Sequence, residues 1–281
     1  GLAVQQSLGC DVRWVTPEEL KADYPILSTE GIAGATYGAL DGTMDPHAVL
    51  MGFKNKAIDL GAEFIEAEVA EITQENGAVT GVKLASGERF LAKYVMNSAG
   101  AWGTKLAKTA GIELPMEPVM RQVFILEVDN IPEKEFPFFA FPNGAYLIQE
   151  HANRFMCGQS FEDDPVGFDF RTDRRQFEER MWEDMIAYIP IFDRLKITAA
   201  WAGLYAVNTF DGNAILGEYP TMKGLMLANG FSGHGFQQCH AVGRYIAELI
   251  RGVAPALDLS IFSPQRLLDN KPVFEGHGKL V

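Results

Sequence analysis

The chain has 281 residues, 47% hydrophobic and 22% charged, an ordinary globular mixture that excludes a disordered or collagen-like chain. Asp and Glu number 37 against 24 Lys and Arg, and the net charge of −13 repels phosphate backbones and anionic membranes, so neither nucleic acid nor a membrane surface is an expected partner. No apolar run approaches the roughly 20 residues needed to span a bilayer, no signal-peptide pattern stands at the N-terminus, and three widely spaced cysteines (Cys10, Cys157, Cys239) make neither a disulfide framework nor a zinc pattern, so a cytoplasmic, reducing compartment is expected.

Along the chain, Thr16-Pro17-Glu18-Glu19-Leu20 reads as a helix start: Thr caps, Pro fits the first turn and Glu suits the positive helix end. Pro25 ends that helix. Asp45-Pro46 opens a second helix by the same logic, with Val49, Phe53, Ala57 and Leu60 at helical spacing and Gly61 as its stop. Strands are predicted over 64–73, 79–84 and 89–96, joined by the hairpin-type turns Asn76-Gly77 and Ser86-Gly87. A short helix over 102–110 is closed by Gly111.

One strand is predicted over 121–128, followed by a Phe/Pro-rich loop and two further strands over 145–149 and 154–159. Glu162-Asp163-Asp164-Pro165 reads as a charged, solvated turn. An amphipathic helix is expected over 173–189, with Phe177, Met181, Met185 and Ile189 as its core stripe and Pro190 as its end. Strands near 198–206 and 225–228 and a helix over 235–250 complete the series. The order predicts an α/β layer with an inserted α+β domain. Its expected division is an N-terminal segment (1–42), a first layer from 43–112 and 200–262, an antiparallel-sheet domain (113–199) and a C-terminal tail (263–281).

Two segments carry the chemistry. In 224–236 an apolar strand runs into Gly230-Phe231-Ser232-Gly233-His234-Gly235 and then a helix. Glycines admit a ligand close to the backbone, and the free N–H groups of a helix start favour an anion or an electron-rich ring edge. The second junction, Asn97-Ser98-Ala99-Gly100-Ala101-Trp102, also runs from strand through small residues to helix. A ligand-free glycine turn is the alternative for each. No metal motif is read, and Ser232 and His234, two apart on one loop without a placed carboxylate, do not make a triad. His47, His151, His234, His240 and His277 read as polar packing residues.

Together these segments resemble the FAD-dependent amine and amino-acid oxidoreductases of the D-amino-acid oxidase, glycine oxidase and sarcosine oxidase type. The residues at 97–102, the run Gly203-Leu204-Tyr205 with Thr209-Phe210-Asp211-Gly212 and Ile215-Leu216-Gly217, and the loop 230–235 are similar to that family's flavin-side motifs in the same order. The residues at 42–47 and Arg121-Gln122 also match. Tyr205, the residues at 208–211 and His234-Gly235-Phe236-Gln237-Gln238 resemble most the FAD oxidoreductase-domain branch related to a complex I assembly factor.

The resemblance implies a partial FAD-binding layer of the glutathione-reductase-like kind with an inserted antiparallel-sheet substrate domain. It implies a cofactor-binding set of Val69, Ala99, Gly100, Trp102, Gly203, Gly230, Phe231, Ser232, Gly233, His234, Gly235, Phe236 and Gln237. The substrate is then a small amine or amino acid oxidised by hydride transfer to flavin N5, with Tyr146, Arg154 and Tyr205 on the substrate side. Arg121 is a carboxylate binder or, more in keeping with a charge in a strand, a structural ion-pair partner.

The chain departs from the family in three respects. It has no Gly-x-Gly-x-x-Gly for the FAD pyrophosphate, which is expected from a chain whose Gly1 falls well inside a full-length member and predicts weak or absent FAD binding and self-association through an apolar edge. Tyr205 stands where many amino-acid oxidases place an Arg, and Gln237 where sarcosine oxidases place a Lys. No Cys stands near Gly203, so any flavin is expected to be non-covalent. Met156 occupies the place of a flavin-facing cation of oxidases, with Arg154 two residues earlier on the same strand face. The competing expectation is a non-catalytic interaction or assembly-factor-like protein.

Overall fold

The structure, a computed structural model, describes residues 1–129, 131 and 135–274. His277 and the end of the expected tail lie outside the described residues. The chain begins with helix α1 (Leu2–Ser7), strand β1 (Val12–Val15) and helix α2 (Pro17–Asp23). At α2 the Thr16 hydroxyl accepts from Glu19 N, and the Glu19 carboxylate accepts from Thr16 N at 2.8 Å, a reciprocal cap. Strand β2 (Ala35–Gly38) pairs antiparallel with β1, and helix α3 (Pro46–Asp59) follows, capped by Asp45. No residue of α3 is buried, and Leu50, Phe53 and Ile58 on it are exposed.

Strands β3 (Val69–Glu75), β4 (Ala78–Leu84) and β5 (Arg89–Leu91) form a small antiparallel sheet. The strand expected over 64–73 begins only at Val69. The one expected over 89–96 is two strands, because β6 (Val95–Asn97) leaves the hairpin and enters another sheet. A short 3-10 turn (Gly100–Trp102) leads into helix α4 (Gly103–Thr109).

Strands β7 (Met116–Glu127), β8 (Phe139–Ala140), β9 (Tyr146–His151) and β10 (Arg154–Gly158) come next, then helices α5 (Arg174–Arg180) and α6 (Trp182–Tyr188) and strand β11 (Lys196–Asn208). They build a five-stranded antiparallel sheet in the order β11-β7-β10-β9-β8. Strand β11 pairs with β7 along its whole length, so the division expected at 199/200 falls inside a strand. One face of the sheet buries Phe124, Leu126, Leu147, Phe155 and Cys157 against Phe177, Met181, Met185 and Ile189. Each such fully buried side chain stabilises the fold by roughly 1.5–3 kcal/mol.

The single helix expected over 173–189 is broken at Met181, where φ is −116°. A spacing of four drifts about 40° per step on a 3.6-residue helix. The break resets that phase, and all four stripe residues reach the same core.

Strands β12 (Ile215–Glu218) and β13 (Leu225–Asn229), helix α7 (Gly235–Arg251) and the short helix α8 (Gln265–Leu268) complete the chain. Strand β13 pairs antiparallel with β12 and parallel with β6. Its alternate residues serve two cores: Leu225 and Leu227 pack with Ala107 and Ile112, while Met226 and Ala228 pack with Val242, Tyr245 and Ile246 of α7. The architecture is a mixed helix-and-sheet fold with antiparallel sheets around one parallel strand pair. Among the described residues, no helix is long and apolar enough to cross a membrane.

Candidate functional site

The parallel register Leu225↔Val95, Met226↔Met96 and Leu227↔Asn97 sets the ends of β13 and β6 side by side, and each strand ends in a buried Asn. Asn97 Nδ2 donates to Gly103 O at 2.9 Å and its Oδ1 accepts from Ala99 N at 3.2 Å, which holds the turn that opens α4. Asn229 Nδ2 reaches Asn97 Oδ1 at 3.5 Å, while Asn229 Oδ1 is buried with no partner among the described residues. The two strand–glycine–helix junctions therefore meet.

At the first junction Ala99 is half-buried, and Gly100 is exposed with open space where a side chain would stand. Trp102 is half exposed and stacks on Phe170 at 6.5 Å. At the second, Ser232 N donates to Ala206 O at 3.1 Å and Ser232 Oγ accepts from Asn208 N at 3.0 Å, so the loop is stitched to the end of β11. Gly230 packs on Asn208 and Met116, and Gly235 on Phe231. Gly233 has φ +101° and lies under the Tyr205 ring, where any Cβ would collide with it. His234 caps α7 without a side-chain bond, which leaves the first-turn N–H groups uncommitted beside Phe236 and Gln237, both exposed.

The sheet face opposite the core carries Arg121, Val123, Tyr146, Met156, Trp201, Gly203 and Tyr205, the strand alternates of the buried residues. Two cavities adjoin over it, of about 210 and 370 Å³. Tyr146, Trp201 and Gly203 line the smaller. Asn208, Ser232 and His234 line the larger, and Arg121, Ser160 and Tyr205 line both.

Tyr146 lies across Gly158, where a Cβ would stand 2.6 Å from its hydroxyl. Burial, reinforced by the nearby Tyr205 and Cys157, pushes the Tyr146 phenol well above its ordinary value of 10. Burial raises Tyr205 too, against the opposing pull of Arg121. Both hydroxyls are thus neutral hydrogen-bond donors at neutral pH.

Arg121 Nη1 donates to Asp164 Oδ2 at 2.5 Å and to Phe161 O at 3.4 Å, and the guanidinium faces the Tyr205 ring at 5.5 Å. Asp164 Oδ2 also accepts from Phe161 N at 2.9 Å and Oδ1 from Gln176 Nε2 at 3.0 Å. The turn expected to be solvated therefore buries one of its carboxylates, because Asp164 is the counter-charge that the in-strand Arg121 requires.

The structure brings Tyr146, Tyr205, Gly203, Ser232 and His234 to the cleft, with Gly230, Gly233 and Gly235 shaping its loop. It does not bring Arg154 there. Arg154 stands at the opposite end of β10, at an irregularity in the β9–β10 register, and pairs with Glu150 at 3.2 Å. Val69 is at the exposed start of β3 and lines neither cavity, and Ala99, Gly100, Trp102, Phe231, Phe236 and Gln237 line neither as well. Sequence reasoning missed Ser160, Asn208 and the role of Asp164. Only the position of a charge within a strand, Arg121, signalled that a buried carboxylate was needed.

A family model described as FAD dependent oxidoreductase (DAO) matches residues 2–249. The chain is similar to FAD-dependent oxidoreductase domain-containing protein 1 of Xenopus laevis, 33% identical over 97% of this chain and 61% of the relative. It spans about three fifths of the length of such curated relatives. Among solved structures, L-proline dehydrogenase from P. horikoshii superposes with a TM-score of 0.87 at 30% identity, covering 97% of this chain and 73% of that one. Glycine oxidase from Geobacillus kaustophilus gives 0.81 at 26% identity, over 94% and 69%.

Proposed function

The chain belongs to the DAO family of FAD-dependent oxidoreductases, and on that premise we propose that it is the substrate-side part of an enzyme that oxidises a small amine or amino acid. The observation that carries this reading is the meeting of two strand–glycine–helix junctions, the second of which, through Ser232 and His234, borders an open sheet face that bears neutral tyrosine hydroxyls. The names of two structural neighbours, a proline dehydrogenase and a glycine oxidase, support the substrate class.

The residues present suit a flat, hydrogen-bonding ring. Open space stands at Gly100 and Gly203, the loop over 230–235 presents backbone at close range, and Asn229 Oδ1 waits for a donor. FAD, when bound, accepts a hydride from the C–H beside an amine nitrogen. Ala99, Gly100 and Trp102 would flank it from one junction, and residues 230–237 from the other, where the helix start stabilises gathering negative charge. Tyr146 and Tyr205 would orient the substrate by donating from hydroxyls that burial keeps protonated.

Non-covalent holding is the reading favoured by Gly203 and its surroundings, which offer no thiol. Cys10, Cys157 and Cys239 are all free, which favours a reducing, cytoplasmic setting. Met156 on the sheet face is uncharged and Arg154 is engaged with Glu150, which favours a dehydrogenase over an oxidase.

The test supplies residues 1–281 with excess FAD, a dye acceptor and a panel of glycine, N-methylglycine, proline and their neutral amine counterparts. Dye reduction dependent on both FAD and an amine supports the reading. FAD bound without turnover of any panel member overturns it.

A second reading, an interaction or self-associating protein, is favoured by one observation: α3 buries nothing, and Leu50, Phe53, Leu60 and Leu91 stand more than half exposed at 63%, 57%, 77% and 87%. Self-association of residues 1–281 that is lost on Leu50→Glu with Phe53→Glu would favour it.

A further inference from the structure

We infer that the free outer edge of β11 pairs antiparallel with the same edge of a second copy of this chain, about a two-fold axis at Ala202, so that the Trp201 of each copy reaches the cleft of the other. Strand β11 is 13 residues long and stands at the end of the five-stranded sheet, with β7 on one side. The direction of its backbone groups follows from the register. Leu204 lies opposite Met120, and Met120 N donates away from β11, to Pro165 O at 2.9 Å. Where one residue of an antiparallel pair points its backbone groups away from the partner strand, the facing residue does the same. Leu204 therefore points out of the sheet edge, and by alternation so do Ala202 and Ala200.

Both ends of this edge are already held. Arg174 Nη2 donates to Ile197 O at 3.2 Å, and Ser232 N donates to Ala206 O at 3.1 Å. Between them the N–H and C=O groups of Ala200, Ala202 and Leu204 have no partner among the described residues. Edge strands are ordinarily blunted by a proline, a charge or a covering segment. Residues 197–205 contain neither a proline nor a charge, and Trp201 among them is exposed.

A second copy fits these groups one for one. With Ala202 facing the partner's Ala202, Ala200 faces the partner's Leu204, and each facing pair exchanges two hydrogen bonds. Every free group of the stretch is then paired on both copies. The same register sets Trp201 opposite the partner's Gly203, in a pair of the closer, non-hydrogen-bonded kind. A large ring thus meets a residue with open space where a side chain would stand. Trp201 and Gly203 both line the smaller cavity on the open face, so the partner's Trp201 becomes a wall of that cavity. Thr198 would face the partner's Ala206, whose C=O is already taken, and the irregularity between Ile197 and Ala199 ends the regular strand at that point. Each copy carries −13, and the uncharged stretch lets two such chains approach without facing like charges. The pairing does not depend on the amine oxidation proposed for the cleft.

The test follows amide exchange of the full chain, labelled with 15N, by NMR at low and high protein concentration. The amides of Ala200, Ala202 and Leu204 are expected to exchange roughly tenfold more slowly at high concentration, about one net hydrogen bond. Those of Trp201 and Gly203, which face β7, are expected to be protected at both. Ala202→Pro removes an outward donor and keeps the bonds to β7, as an edge strand tolerates, so it is expected to fold by circular dichroism and to lose the concentration dependence at Ala200 and Leu204. Cys10 and Cys239 are exposed and are replaced by Ser for a disulfide test. In that background Ala202→Cys is expected to give a disulfide-linked dimer on oxidation, since facing hydrogen-bonded residues stand ~5.5 Å apart at Cα. Ala200→Cys, which faces the partner's Leu204, is not. Association through α3 moves none of these readouts.

Exchange at the three amides that is independent of concentration overturns the inference. So does concentration dependence that persists in folded Ala202→Pro, or a disulfide that forms as fast from Ala200→Cys as from Ala202→Cys. Wild-type exchange and the disulfide decide the matter where the proline variant does not fold.

Discussion

Replacing Asp211 by Ala is expected to unfold the site before it alters any ligand contact. Asp211 and Arg266 form an ion pair at 2.8 Å with side chains 0% and 6% exposed. Arg266 also donates to the carbonyls of Phe262, Ser263, Asn213 and Ala214, and Asp211 accepts from Asn208 Nδ2, Asn213 N and Val273 N. One carboxylate thus ties the loop over 208–213, which lines the larger cavity, to the C-terminal segment. Its removal strands a buried guanidinium, and breaking one side of such a pair costs about 3–5 kcal/mol. For a chain of this size that lowers Tm by roughly 5–9 °C.

The pH dependence supplies an independent check on the same pair. Burial pushes the Asp211 carboxyl up, but the Arg266 hydrogen bond, aided by Val273 N and Asn213 N, outweighs it and holds the group below its ordinary 3.8. A depressed folded value means stability that is complete above the unfolded pKa and is lost as pH falls through the folded one. Thermal melts of wild type and Asp211→Ala across the acid range should therefore converge as pH drops. A variant that melts within ~1 kcal/mol of wild type at neutral pH, or a gap that stays constant into acid, would refute the reasoning.

Three further outcomes follow from the same structure. Gly233→Ala forces a side chain at φ +101° into the Tyr205 ring and should destabilise by about 1–3 kcal/mol while displacing Tyr205, seen as a lower Tm together with altered tyrosine fluorescence. Tyr146 and Tyr205 should both ionise above the ordinary tyrosine value in the folded chain, Tyr146 by the larger margin, their neutral burial contributing stability present below the unfolded pKa and lost as pH rises through the folded one; alkaline difference absorbance of Tyr146→Phe and Tyr205→Phe checks this. Leu50→Glu with Phe53→Glu should leave Tm nearly unchanged, since both are exposed, and should shift sedimentation toward the monomer where the chain self-associates.

The local features of the fold were readable because their causes are local. The capping box of Thr16 and Glu19 and the Asp45 cap follow from residues three positions apart or fewer. The turn Asn76-Gly77 adopts positive φ at both residues, 51° and 75°, as a tight hairpin requires. The break at Met181 was hidden because periodicity reports which residues share a face but not whether the backbone stays regular in keeping them there. The fate of α3 was hidden for a related reason: its apolar spacing is real, and what it packs against is not set by its own residues.

The site divides along the same line. Ser232 and His234 stood out because glycine-rich junctions announce themselves within a few residues, whereas Tyr205 was picked out by the family resemblance alone; Gly233 is where its ring and the loop backbone meet. Asp164 was not, because its meaning depends on Arg121, 43 residues away and on another strand. Seen alone, three acidic residues before a proline are a solvated turn. Seen from Arg121, a cation set into a strand among buried neighbours, one of them must be an anchor, since a buried charge without a partner costs more than a strand can return. Pairing then leaves Nε of the same guanidinium buried without a partner among the described residues. The anchor that the fold demands is thus a consequence of where one cation sits in its strand.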